Sequence, residues 1–185
     1  FRFAGRPLTA TASGAVDLAA STAALDYALD APELAPLAAA YEMDAAGRLS
    51  VEGRVEGPFD RVGLTGEAAL TDLAFEGRNY GEVRLSHDIT AAEAISGGLV
   101  LAASGSTYGP LDADLDFRLE GERLDLSRFE AEALGMDLAG AVVYRLDSGL
   151  ADGAVRLDAP DLAPLAAFAG GPVSGALEGE AELTP

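Results

Sequence analysis

The chain has 185 residues, 49% of them hydrophobic but only 6% aromatic, with no Trp and no Cys, so disulfides, thiolate chemistry and Cys-based metal sites are excluded. Its 31 acidic residues against 12 basic ones leave a formal net charge of −19. That field repels phosphate backbones and excludes nucleic-acid binding and attachment to anionic membranes through a basic patch.

The dominant pattern along the chain is period-two alternation, which places successive side chains on opposite faces of a strand. The first departure from it is Asp30-Ala-Pro-Glu-Leu-Ala-Pro-Leu-Ala-Ala39, where an early Pro and an Ala-rich continuation predict one or two helical turns near 32–40. Leu49 to Val55 then alternates, with Leu49, Val51 and Val55 on one side and only Gly53 interrupting. Glu82 to Ile89 follows the same rule with Val83 and Leu85. The uncharged stretch from Ile95 to Leu111 is short of the ~20 apolar residues of a membrane span and carries Gly, Ser and Pro.

The clearest strand is Leu111 to Glu120, with Leu111, Ala113, Leu115, Phe117 and Leu119 on one face and Asp112, Asp114, Asp116, Arg118 and Glu120 on the other. Further strands are predicted at Arg123–Leu126, Phe129–Ala133, Met136–Leu146, Ala154–Asp158 and Gly175–Leu183, punctuated by Gly and small polar residues. Asp158-Ala-Pro-Asp-Leu-Ala-Pro-Leu-Ala-Ala167 matches the Asp30 segment at nine of ten positions, 128 residues on, and predicts a second short helical element near 160–168. A second echo aligns Gly5, Pro7, Gly14, Val16 and Leu18 with Gly170, Pro172, Gly179, Ala181 and Leu183. A third aligns Gly77, Tyr80, Gly81, Val83 and Ile89 with Gly105, Tyr108, Gly109, Leu111 and Phe117. Repetition at several scales points to an array rather than a compact enzyme.

No catalytic constellation emerges. All twelve basic residues are Arg, so a Walker A loop and Schiff-base chemistry are impossible, and no Gly-x-Gly-x-x-Gly is present. Asp112, Asp114 and Asp116 lack the glycine that an EF-hand loop requires at its sixth position and read as a solvated charged face. His87, the single histidine, stands between Ser86 and Asp88, but neighbours on one strand cannot adopt triad geometry, and it reads as a surface polar residue near a strand end. The chain therefore reads as non-enzymatic, with no cofactor and no metal. Tyr80 and Tyr108 read as markers of strand starts.

The Asp-Ala-Pro-Glu/Asp-Leu-Ala-Pro-Leu-Ala element, the run from Gly170 to Leu183, and Leu70-Thr-Asp-Leu-Ala-Phe75 with Tyr80-Gly81 together resemble the TamB family, the translocation and assembly module proteins within the AsmA-like group. The resemblance is one of repeat style over the whole chain. It implies an all-β fold: an elongated curved sheet or trough of short strands with an apolar concave face. It also implies a periplasmic location, as part of an inner-membrane-anchored protein of a Gram-negative bacterium, and a role in carrying phospholipid toward the outer membrane beside an outer-membrane barrel partner. Residues 1–185 read as a single β-rich repeat segment cut from a longer protein, able to dimerise through strand edges.

On that reading the lipid-facing residues are the apolar sides of the strands: Val51, Val55, Val83, Leu85, Leu99, Leu101, Leu111, Leu115, Phe117, Leu119, Leu138, Val142, Val155, Leu157 and Leu177. The alternative is a spacer or scaffold in which the same faces pack shut into a dry β core and assist outer-membrane protein assembly.

Overall fold

The computed structural model describes residues 2–4, 8–106, 109–166 and 171–184. They form twelve strands in one open antiparallel sheet whose order follows the chain. The strands are β1 (Arg2–Ala4), β2 (Thr9–Asp17), β3 (Thr22–Ala31), β4 (Ala45–Pro58), β5 (Val62–Phe75), β6 (Arg78–Ala91), β7 (Ile95–Ser104), β8 (Leu111–Glu120), β9 (Arg123–Ala133), β10 (Met136–Arg145), β11 (Ala151–Ala159) and β12 (Leu177–Leu183). The fold is all-β, an elongated curved sheet. Eleven steps of about 4.8 Å give an arc of roughly 53 Å from β1 to β12.

Tight hairpins make this meander possible. Between β5 and β6, Glu76 and Gly77 take φ of 48° and 72°, and between β9 and β10, Leu134 and Gly135 take 57° and 71°. Two successive positive-φ residues are the type I′ arrangement, whose twist matches that of the flanking strands.

The strand expectations need two revisions. Segments 123–126 and 129–133 are one strand, β9, not two. Asp116 pairs with Arg128 while Phe117 pairs with Leu126, leaving Ser127 as the extra residue of a bulge. In an unbroken strand Leu126 and Phe129, three apart, would point to opposite faces; the bulge returns both to the same one. Strands are also longer than the repeats implied, with β4, β5 and β6 each running 14 residues.

The two Asp-Ala-Pro elements are structural duplicates. In each, the alanine after the aspartate, Ala31 or Ala159, is the last residue of a strand, and both are fully buried at 0% exposure. The chain then turns, as helix α1 (Ala35–Ala39) in the first copy and a 3-10 turn (Ala163–Leu165) in the second. Residues 167–168 of the second predicted element lie outside the described residues. In both copies the leucine before the turn donates its amide to a glycine carbonyl thirteen residues on, Leu34 to Gly47 and Leu162 to Gly175, each at 2.9 Å. The following strand returns in the same register, Ala31 opposite Leu49 and Ala159 opposite Leu177. The third echo is also expressed in the backbone: Gly77 and Gly105, then Gly81 and Gly109, all have positive φ. Tyr108 lies outside the described residues, as do Gly5, Pro7 and Gly170 of the second echo.

The sheet is a single layer. The buried apolar residues among those described are Ala31, Ala38, Ala94 and Ala159, and no large side chain is fully buried. Stability must come from hydrogen-bonded ladders and from side chains packing beside one another along one face.

Candidate functional site: the apolar inner face

Residues directly opposite one another in antiparallel strands share a face, so the registers trace rows across the sheet. One row runs Val51, Ala68, Leu85, Leu101, Ala113, Ala131, Leu138, Leu157 and Gly179, unbroken from β4 to β12. A second runs Leu25, Val55, Leu64, Ile89, Gly97, Phe117, Leu126, Val142 and Gly153. Between them lies a row carrying Tyr27, Gly53, Gly66, His87, Leu99, Leu115, Phe129, Gly140 and Val155. Toward the sheet ends, Val83 shares a row with Leu111 through Ala103, Leu119 stands opposite Ile95, and Leu177 opposite Ala159.

All fifteen residues singled out from the sequence therefore lie on the same face. Most are half-buried, shielded only by neighbours on that face, while Leu138 and Leu177 are more open at 37% and 48% exposure. The face also includes Leu25, Leu64, Leu70, Ile89 and Phe129, which the sequence selection left out. The same alternation marks Leu25, Leu64 and Leu70 in β3 and β5, where intervening Ala and Gly weaken the signal, while Ile89 and Phe129 stand at the ends of predicted strands in β6 and β9.

His87 corrects the surface-residue expectation. It stands inside β6, away from either end, and points inward, half-buried among the apolar rows. Its Nε2 shares a hydrogen bond of 3.2 Å with Tyr27 Oη. Ser86 and Asp88 point to the opposite face by alternation, so the three do not converge.

The outer face carries the charge. Arg54 contacts Asp26 at 3.3 Å and Glu56 at 2.7 Å; Arg128 contacts Glu130 at 2.9 Å and Asp114 at 3.8 Å. Hydrogen bonding to Glu56, then the charge of Asp26, raises the Arg54 pKa; Glu130 does the same for Arg128. In return, hydrogen bonding to Arg128 holds the Glu130 carboxyl below its ordinary value. These pairs are open to water and individually contribute little to stability. Asp112, Asp114 and Asp116 lie in this solvated array, on the face opposite Phe117.

The arrangement separates two surfaces by one sheet thickness, one charged and wet, the other apolar and covered by no second layer among the described residues. At roughly 33 Å by 53 Å, the apolar face far exceeds the few hundred Å² of apolar patch that a monomeric surface ordinarily carries. No helix among the described residues is long and apolar enough to cross a membrane. Comparison with family models, with curated proteins and with solved structures gives no match to this chain.

Proposed function

We propose that this chain is a non-enzymatic segment of a lipid conduit, whose apolar inner face shelters phospholipid acyl chains. The observation that carries the reading is the continuity of the apolar rows across the sheet, with none of the described residues packed over them. An apolar face of this size has a strong drive to be covered. An acyl chain has the matching need: about 0.8 kcal/mol per methylene gives about 12 kcal/mol for a chain of ~16 carbons, of which contact on one side recovers roughly half. The rows run across the strands and present no polar barrier between β7 and β12, so a chain lying along them can slide without breaking hydrogen bonds.

The TamB-like repeat style supports a periplasmic setting for such a conduit, in a Gram-negative bacterium. There it would serve phospholipid movement between membranes and outer-membrane biogenesis, with a barrel partner contacted by the longer protein.

Native mass spectrometry of the purified protein tests this reading, together with binding of a solvatochromic dye. Co-purified phospholipid and dye fluorescence on the folded protein are the expected results. A lipid-free protein that leaves the dye dark would overturn the conduit and favour a spacer.

A further inference from the structure

Where the ends of β5, β7 and β9 meet the starts of β6 and β8, the inner face closes into a cleft of about 370 Å³. Its walls are Leu73, Val83, Leu101, Leu111, Ala133 and Leu134. We propose that this cleft is a seat for an anionic amphiphile, with the acyl chain against these walls and a phosphate or carboxylate head on Arg78. The proposal rests on the lipid-conduit reading and adds to it a head-group position and a preference for charge.

Three features build the cleft. First, β5 carries an irregularity between Leu70 and Leu73, with Asp72 at a φ of 54°, which brings Leu73 opposite Gly81 and bends the strand end. Second, Gly81 has a φ of 69°, and a Cβ there would run into the backbone of Ser104 and Gly105. That left-handed residue breaks the alternation of β6, so that Tyr80 and Val83, three apart, line the same cleft. Third, Leu134 occupies a positive-φ hairpin position that glycine or asparagine would fill at lower cost, and its side chain forms part of the wall. Tyr80 from the first glycine-tyrosine-glycine run and Gly109 from the second both line the cleft.

The electrostatics are the reverse of the rest of the molecule. Among the described residues lining the cleft, Arg78 is the one that carries charge, in a chain of net charge −19. Arg54, Arg84, Arg118, Arg123, Arg128 and Arg156 each have a carboxylate within ion-pair distance, whereas Arg78, like Arg48, Arg61 and Arg145, has none among the described residues, and of these four only Arg78 lines the cleft. An exposed guanidinium beside an apolar wall matches the two ends of a lipid, and its planar donors suit phosphate or carboxylate.

The test compares dodecyl phosphate, dodecyl maltoside and inorganic phosphate, each titrated below micelle-forming concentration against the wild type, Arg78→Ala and Arg84→Ala. Arg84 pairs with Glu82 on the outer face and serves as the control. Wild type is expected to bind dodecyl phosphate about tenfold more tightly than the maltoside, the scale of one charge-assisted contact. Arg78→Ala should erase that difference without weakening the maltoside, and Arg84→Ala should preserve it. Equal binding of the two amphiphiles by wild type, or a preference that survives Arg78→Ala, overturns the head-group seat and leaves the conduit standing. Inorganic phosphate binding as tightly as dodecyl phosphate would assign Arg78 to a free anion and also overturn it. If neither amphiphile binds, the conduit reading falls together with the seat.

Discussion

Tyr27 Oη and His87 Nε2 meet at 3.2 Å although their strands, β3 and β6, are three apart in the sheet. The two positions between them in the row are Gly53 and Gly66, opposite one another. With no side chains there, the tyrosine and histidine rings lie down across the sheet and span ~14 Å, three strand spacings. The pair is a polar rung in an apolar row, each partner satisfying the other.

Tyr27→Phe should therefore destabilise the protein by about 1 kcal/mol, the usual net value of one hydrogen bond. His87→Leu should cost a similar amount. The double variant should lose less than the sum of the two, because removing both partners leaves no polar group unpaired. Denaturant unfolding of the four proteins measures the coupling; strict additivity would mean that the contact contributes nothing.

Glycine at the middle of the rung is a packing requirement. A Cβ on Gly66 would stand 2.9 Å from Gly53 Cα and 3.0 Å from His87 Cε1, so Gly66→Ala should cost about 1–3 kcal/mol. Gly179 lies on the same face in β12, and a Cβ there would meet nothing within 4 Å. Gly179→Ala should fall within about 0.5 kcal/mol of wild type. Thermal melts of the two variants side by side check the contrast.

Phe117 is half-buried on the inner face, with no second layer above it among the described residues. Phe117→Asp should keep the far-UV circular dichroism of the sheet while abolishing dye and lipid capture, since the carboxylate can remain hydrated in an open trough but disrupts an acyl chain lying there. Loss of the sheet signal would instead identify Phe117 as core.

The Asp-Ala-Pro duplicates leave no room at Ala31 and Ala159, both at 0% exposure. Ala31→Leu and Ala159→Leu should each destabilise by about 1–3 kcal/mol through overpacking. Leucine at Ala28, on the outer face of β3, should change stability by less than about 0.5 kcal/mol. Chemical denaturation of the three variants gives the comparison.

Among the described residues β12 is an edge strand of the sheet, and it carries Glu178, Glu180 and Glu182 on the charged face. Two such edges pairing at pH 7 would bring these carboxylates together, which disfavours association. Replacing Glu178, Glu180 and Glu182 together by Gln removes that repulsion, and association should grow. On β9, Glu130 is held below its ordinary value by its hydrogen bond to Arg128. The stabilisation from that pair is present above the unfolded pKa and is lost as pH falls through the folded one. Sedimentation velocity of wild type and the triple Gln variant at pH 7 should show a monomer giving way to larger species; an unchanged distribution would remove the edge from consideration.

Features set within a single strand are legible in the sequence, and those that depend on contacts between distant strands are not. Alternation in a single strand already separates Leu115 and Phe117 from Asp114 and Asp116, and the Asp-Ala-Pro repeat announces two equivalent turns before any contact is known. Side-chain direction in an extended chain follows from backbone geometry alone, so faces are legible from spacing. Register is different, because which residue stands opposite which depends on bulges and turns whose effects add from strand to strand. The bulge at Ser127 that joins two predicted strands into β9, the kink at Gly81 that gathers the cleft around Arg78, and the row that joins Tyr27 to His87 all belong to that second class. So does the openness of the sheet itself: an apolar residue facing a second layer and one facing a trough have the same spacing, and the difference lies in whether another part of the chain returns to cover them.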